Sequence, residues 1–152
     1  MVWSRISFDV VGPLIFIEGG IDSAKYISIL HNNVLHHCLD RIGDDGRSHV
    51  FQDDGASCHD STQVIEYCAR KGIQRPFWPP HSPDLNPIEC VWGWIKHKLT
   101  RLDTKPKTIA QLKTILQQIW GEITVESIQN LYKSLLKRLG KLRMVNGYNI
   151  NL

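Results

Sequence analysis

No stretch of the 152 residues is both long and apolar enough to cross a membrane, so a spanning helix is excluded. No secretory leader is expected either, because Arg5 and Asp9 interrupt the first apolar stretch. Cysteine is scarce, and Cys38, Cys58, Cys68 and Cys90 form no C-x-x-C pair. That spacing argues against a zinc site and a disulfide framework, and leaves reduced thiols in an intracellular protein as the expectation. His36, His37 and Cys38 adjoin in sequence, yet neighbouring helix residues point in different directions, so they are not read as a metal cluster. Internal repeats and low-complexity segments are also lacking. What is present is 42% hydrophobic content, enough in a chain of this length to bury a core.

A net charge of +3 conceals a segregation. Up to Glu89 there are seven Lys or Arg against twelve Asp or Glu; from Cys90 onward there are eleven against three. Lys96, Lys98 and Arg101 go with the helix entered at Glu89, and Lys105 and Lys107 with the next connection. Lys133, Lys137, Arg138, Lys141 and Arg143 crowd the last helix. Any one of these is read as a solvated cation. As a set, and with Lys96, Lys98, Arg101, Lys137, Arg138, Lys141 and Arg143 foremost, they form a candidate surface for neutralising phosphates without sequence preference.

The acids sit at element boundaries. Ser48 to Gln52 reads as a short buried strand that runs into Asp53 and Asp54, and acids at a strand's carboxyl end face the crevice of an open α/β sheet. Asp60 or Ser61 can cap a following helix with Val64, Ile65 and Cys68 on one face, Gly72 stops it, and Gln74 to Trp78 returns as a strand. Pro79, Pro80, Pro83 and Pro87 then make a rigid strut. Asn86 caps a helix whose apolar face runs from Ile88 to about Leu99, which puts Glu89 in its first turn. Glu89 can complete a capping box with Asn86, serve as a ligand, or do both. Asp53 replaces Asp54 at the site if the strand slips by one residue, since a slip turns every side chain to the other face. His59 can contact phosphate, support the site, or be a hydrogen-bonded structural histidine.

FQDDGASCH, WPPHSPDLNPIE with the CVWGWIK after it, and the amino-terminal VWS followed by VVGPLIFIEGGIDSAKYISIL together resemble the catalytic domain of the Tc-one and mariner transposases, over nearly the whole chain. The resemblance implies an α/β, ribonuclease H-like fold, with a mixed sheet flanked by helices. It implies a site in which two aspartates and a third acid hold two divalent ions, Mg2+ or Mn2+, that cut DNA and join its ends. It maps the second acid onto Asp54, which directly precedes Gly-Ala-x-x-His, and the third onto Glu89. The 34 residues from 55 to 88 lie between them, the spacing of the Tc-one branch. The family's first aspartate lies on a strand before the VWG-like segment, where here Met1 immediately precedes Val2 and Trp3. Asp9 falls between VWS and VVGPL, where relatives turn between two hairpin strands, and is not expected to replace it.

The expectation is therefore one partial catalytic domain over 1–152, without its first strand or the amino-terminal helix-turn-helix region, showing little or no cleavage alone. Its partners would be DNA, at transposon ends and target, and a second copy in a homodimer; its location in a eukaryote would be the nucleus. The alternative is a non-catalytic remnant that binds DNA or a protein. The remainder is scaffold: strands over Val2 to Phe8 and Val11 to Glu18, and a helix from Ser23 to Leu39 with Tyr26, Ile27, Leu30, Val34 and Leu35 inward. Two amphipathic helices follow over Thr108 to Trp120 and Ser127 to Leu139, with Trp92, Trp94 and Trp120 as packing residues.

Overall fold

The computed structural model describes residues 1–35, 50–54, 56–76 and 82–144, the side chains of Asp84 and of residues 141–144 excepted. His36, His37 and Cys38, the turn at Gly43 to Gly46, the end of the expected strand at Phe77 and Trp78, and residues 79–81 of the proline strut lie outside the described residues. The chain forms two compact units: Met1–Val2 with Ile17–Ser82, and Trp3–Phe16 with Pro83–Leu152.

In the first unit Asp22 caps α1 (Ser23–Leu30), its carboxylate accepting from the Lys25 amide at 2.8 Å. The helix passes into a turn of π-helix over His31–Leu35, and Tyr26, Ile29, Leu30, Val34 and Leu35 are buried. Ile29 thus takes the inward place expected of Ile27, which is only half-buried. Ser61, rather than Asp60, caps α2 (Thr62–Arg70). Val64, Tyr67 and Cys68 are buried on α2, whereas Ile65 is 51% exposed, because one residue turns the side chain about 100° around the helix. Gly72 ends the helix with φ +68°, a left-handed conformation that favours glycine. Of the expected strand before Asp53, Ser48 and His49 lie outside the described residues, and Val50 forms a parallel bridge with Gln74, the Phe51 amide donating to the Gln74 carbonyl at 2.8 Å. Val50, expected inside, is exposed.

The second unit opens with short strands where two longer ones were expected: β1 (Val2–Trp3), whose first residue is counted with the other unit, β2 (Ile6–Ser7), β3 (Val10–Val11) and β4 (Ile15–Phe16). β2 and β3 form an antiparallel hairpin with Ile6 opposite Val11 and Ser7 opposite Val10, so Phe8 and Asp9 make its tip. Asp9 there accepts from the Ser7 hydroxyl at 3.0 Å. The Gly12 amide continues the hairpin's register by donating to the Arg5 carbonyl at 2.9 Å, and the ladder stops beyond it, where Pro13 has no amide hydrogen to extend it. A Cβ at Gly12 would lie 2.7 Å from the Arg5 carbonyl oxygen and 2.6 Å from its Cγ. Gly12→Ala should therefore destabilise the protein by roughly 1–3 kcal/mol through overpacking, a loss that chemical denaturation would measure.

Three helices pack against the hairpin. Asn86 caps α3 (Pro87–Thr100). Thr108 caps α4 (Ile109–Gly121), and Thr124 and Ser127 bond reciprocally at the entrance to α5 (Val125–Met144), which starts two residues earlier than expected. Val91, Ile95, Ile119, Trp120 and Ile128 form the buried centre, with Ile6, Val11 and Leu14 packed on it. The Trp120 indole donates to the Gly12 carbonyl at 2.9 Å, and its ring lies 5.5 Å from that of Trp92. Trp94 departs from expectation: it is 37% exposed, with the Lys98 ammonium 4.6 Å above its ring.

Candidate functional site

Asp53 and Asp54 follow Gln52 with opposite fates, since successive residues of an extended chain face opposite ways. The Asp53 side chain is 11% exposed and that of Asp54 63% exposed. Asp53 is fully engaged: its Oδ1 accepts from Arg75 Nε at 3.2 Å and Nη2 at 2.8 Å, and its Oδ2 from the Tyr26 hydroxyl at 2.9 Å. Arg75 also reaches Asp60 at 2.9 Å. Burial disfavours the guanidinium, but the hydrogen bonds and charge of Asp53, helped by Asp60, outweigh it and raise the Arg75 pKa. Burial, then the charge of Asp53, drive the Tyr26 hydroxyl far above its ordinary pKa, so it remains a donor.

Asp54 instead points outward. Its Oδ1 lies 2.6 Å from His59 Nδ1 and accepts from the Ala56 amide at 3.2 Å. His59 is buried, and its ring stacks on Tyr26 with centroids 4.0 Å apart. It is thus a hydrogen-bonded histidine attached to Asp54. Neither Arg75 nor the Tyr26 hydroxyl is marked by the motifs around Asp53 and Asp54. The one local signal was Tyr26 itself, because a buried tyrosine needs an acceptor for its hydroxyl.

Glu89 belongs to the second unit, where it is exposed in the first turn of α3. Its amide donates to the Asn86 carbonyl at 3.1 Å, the Asn86 side chain accepts from the Ile88 amide at 3.2 Å, and the Asn86 amide donates to the Pro83 carbonyl at 3.0 Å. The helix entrance is therefore held from both sides. Among the described residues, no group of three or more His, Cys, Asp or Glu side chains gathers to hold a metal ion. Cys58 and Cys90 are free thiols, and among the described residues no helix is long and apolar enough to cross a membrane.

The candidate DNA-facing cations divide. Lys96, Arg101 and Lys137 are exposed, and Arg138 is half-buried. Lys98 pairs with Glu122 while covering Trp94. Lys105, expected among the DNA-facing bases, donates to the Leu99 and Thr100 carbonyls at 3.0 and 2.6 Å and so finishes α3. The side chains of Lys141 and Arg143 lie outside the described residues.

A family model described as DDE superfamily endonuclease matches residues 16–113. The Tcb1 transposase of Caenorhabditis briggsae is 33% identical over 150 residues, covering 97% of this chain and 52% of that protein. The chain spans about half the length of the curated relatives it matches. Among solved structures, the Mos1 transposase catalytic domain with raltegravir and magnesium superposes with a TM-score of 0.79 at 19% identity, over 99% of this chain and 75% of that one. The Mos1 mariner paired end complex with manganese gives 0.78 at 18% identity, over 99% and 44%.

Proposed function

Because the chain belongs to the DDE superfamily endonucleases, in their Tc1/mariner transposase branch, we propose that it carries out metal-dependent DNA cleavage and strand transfer in transposition. Its fold is the α/β, ribonuclease H-like fold of the Mos1 catalytic domain. The observation that carries the proposal is the division of labour between Asp53 and Asp54: one acid is consumed by Arg75 and Tyr26, and its neighbour is held out in solvent. Asp54 and Glu89 are assigned as ligands for Mg2+ or Mn2+. Both are exposed carboxylates, and hard oxygen donors fit these ions. A bound pair of ions would activate an attacking hydroxyl and stabilise the leaving oxygen of an in-line displacement. The chain's own contribution is to hold the two acids: His59 and the Ala56 amide fix Asp54, and the cap at Asn86 fixes the turn bearing Glu89.

Transposon-end and target DNA are the proposed partners, with assembly as a homodimer and, in a eukaryotic cell, work in the nucleus. Exposed Lys96, Arg101 and Lys137 support a role in backbone binding. Neutralising these three together should lower the slope of log affinity against log salt by about 3 if each meets a phosphate. An unchanged slope for duplex DNA would show that they are only solvated.

The reaction is tested by nicking of DNA bearing matched transposon ends, in manganese. The 152-residue chain is assayed as it stands and with an upstream strand carrying an aspartate. Metal-dependent nicking by the extended chain that Glu89→Ala removes is the expected result; nicking that survives Glu89→Ala defeats the assignment.

A further inference from the structure

Building on the reading of Asp54 as a metal ligand, we propose that His59 is a positioning residue, which orients the Asp54 carboxylate and is itself oriented by its stack on Tyr26. The geometry is specific. His59 Nδ1 lies 2.6 Å from Asp54 Oδ1 and 3.1 Å from the Asp54 carbonyl oxygen, so one ring nitrogen spans the side chain and main chain of the same residue. Together with the Ala56 amide on Oδ1, this restrains rotation of the carboxylate about its own backbone. Among the described residues, these side-chain contacts fall on Oδ1 and leave Oδ2 to face an ion.

The ring that does this is itself fixed. It stacks on Tyr26 with an interplanar angle of 26°, and Tyr26 is completely buried with its hydroxyl on Asp53, which Arg75 holds. Arg75, Asp53, Tyr26, His59 and Asp54 therefore form one relay of contacts within a single compact unit. A direct phosphate contact by His59 is disfavoured, because its side chain is only 11% exposed. An exposed carboxylate that is already oriented loses less freedom when it binds.

The test is the Mn2+ affinity of the 152-residue chain, titrated by electron paramagnetic resonance with the metal alone as probe. His59→Asn places an amide nitrogen near the Nδ1 position but has no ring to stack on Tyr26, so it should keep its affinity to within about tenfold, and Tyr26→Leu, which also removes the stack, should weaken binding by a similar margin. His59→Gln, whose amide lies further out, should bind about tenfold or more weakly, as loss of an outer partner does. A merely structural histidine would shift the thermal midpoints of Asn and Gln variants without separating their manganese affinities, so equal affinities overturn the proposal. If the Gln variant does not fold, His59→Asn decides alone: retained affinity supports positioning and a tenfold loss overturns it. Asp54→Ala separates the two levels, since unweakened binding there, or no saturable binding by the unchanged chain, sinks the ligand reading itself.

Discussion

In the chain extended upstream with the aspartate-bearing strand, Asp54→Asn should reduce manganese-dependent nicking by about 10^3-fold or more while leaving the fold nearly as stable as before. A metal ligand contributes several kcal/mol of charge stabilisation in the transition state, and each 1.36 kcal/mol is about a factor of ten in rate. The amide keeps an oxygen that can accept from His59 and from the Ala56 amide, and the side chain is already 63% exposed, so stability should change by no more than about 0.5 kcal/mol. The rate would be measured alongside a thermal melt of the same preparation. Full nicking by the variant would remove Asp54 from the site, and a collapsed melt would show that its role is structural.

Asp53→Ala should do the reverse to the fold. It strips the Arg75 guanidinium of a two-nitrogen partner in a pair whose side chains are 11% and 17% exposed, and leaves the buried Tyr26 hydroxyl without its acceptor. Breaking a buried pair from one side costs about 3–5 kcal/mol, and the lower end applies because Asp60 still faces Arg75. At about 3 kcal/mol the thermal midpoint of a domain this size falls by roughly 6–12 °C. Asp53→Leu combined with Arg75→Leu should recover part of that loss, because no lone guanidinium is left behind. A midpoint for Asp53→Ala that matches the unchanged chain would mean that Arg75 and Tyr26 find other partners at no cost.

The contrast between these adjacent acids marks where sequence reading reached its limit. Helix entrances were legible because the information is local: Asn86 before Pro87, and Thr108 three residues before Gln111, specify their caps within one turn. The choice between Asp53 and Asp54 could not be made from strand periodicity, since a shift of one residue reverses both. What distinguishes them physically is Arg75, 22 residues away, and Tyr26, 27 residues away. Neither pairing leaves a mark in the spacing around FQDD. The same applies to the broken amino-terminal strands. Their apolar pattern was visible, but the close approach of Gly12 to Arg5 is a matter of backbone distance that hydropathy does not encode. Trp94 was misjudged because aromatic spacing alone does not say whether a ring ends under a core or under a lysine.

The bond from Trp120 to the Gly12 carbonyl spans 108 residues of chain, and the Tyr132 hydroxyl reaches the Ile6 carbonyl, at 3.3 Å, across 126. For a chain emerging from a ribosome, this makes birth order and completion order differ. Residues 3–16 are synthesised early, yet the helices that cover them appear only after the whole inserted stretch Ile17–Ser82 has been made. At about 5–20 residues per second, the hairpin waits on the order of 5–20 s with Ile6, Val11 and Leu14 uncovered. During that interval the nascent hairpin is a client for any chaperone that binds apolar strands.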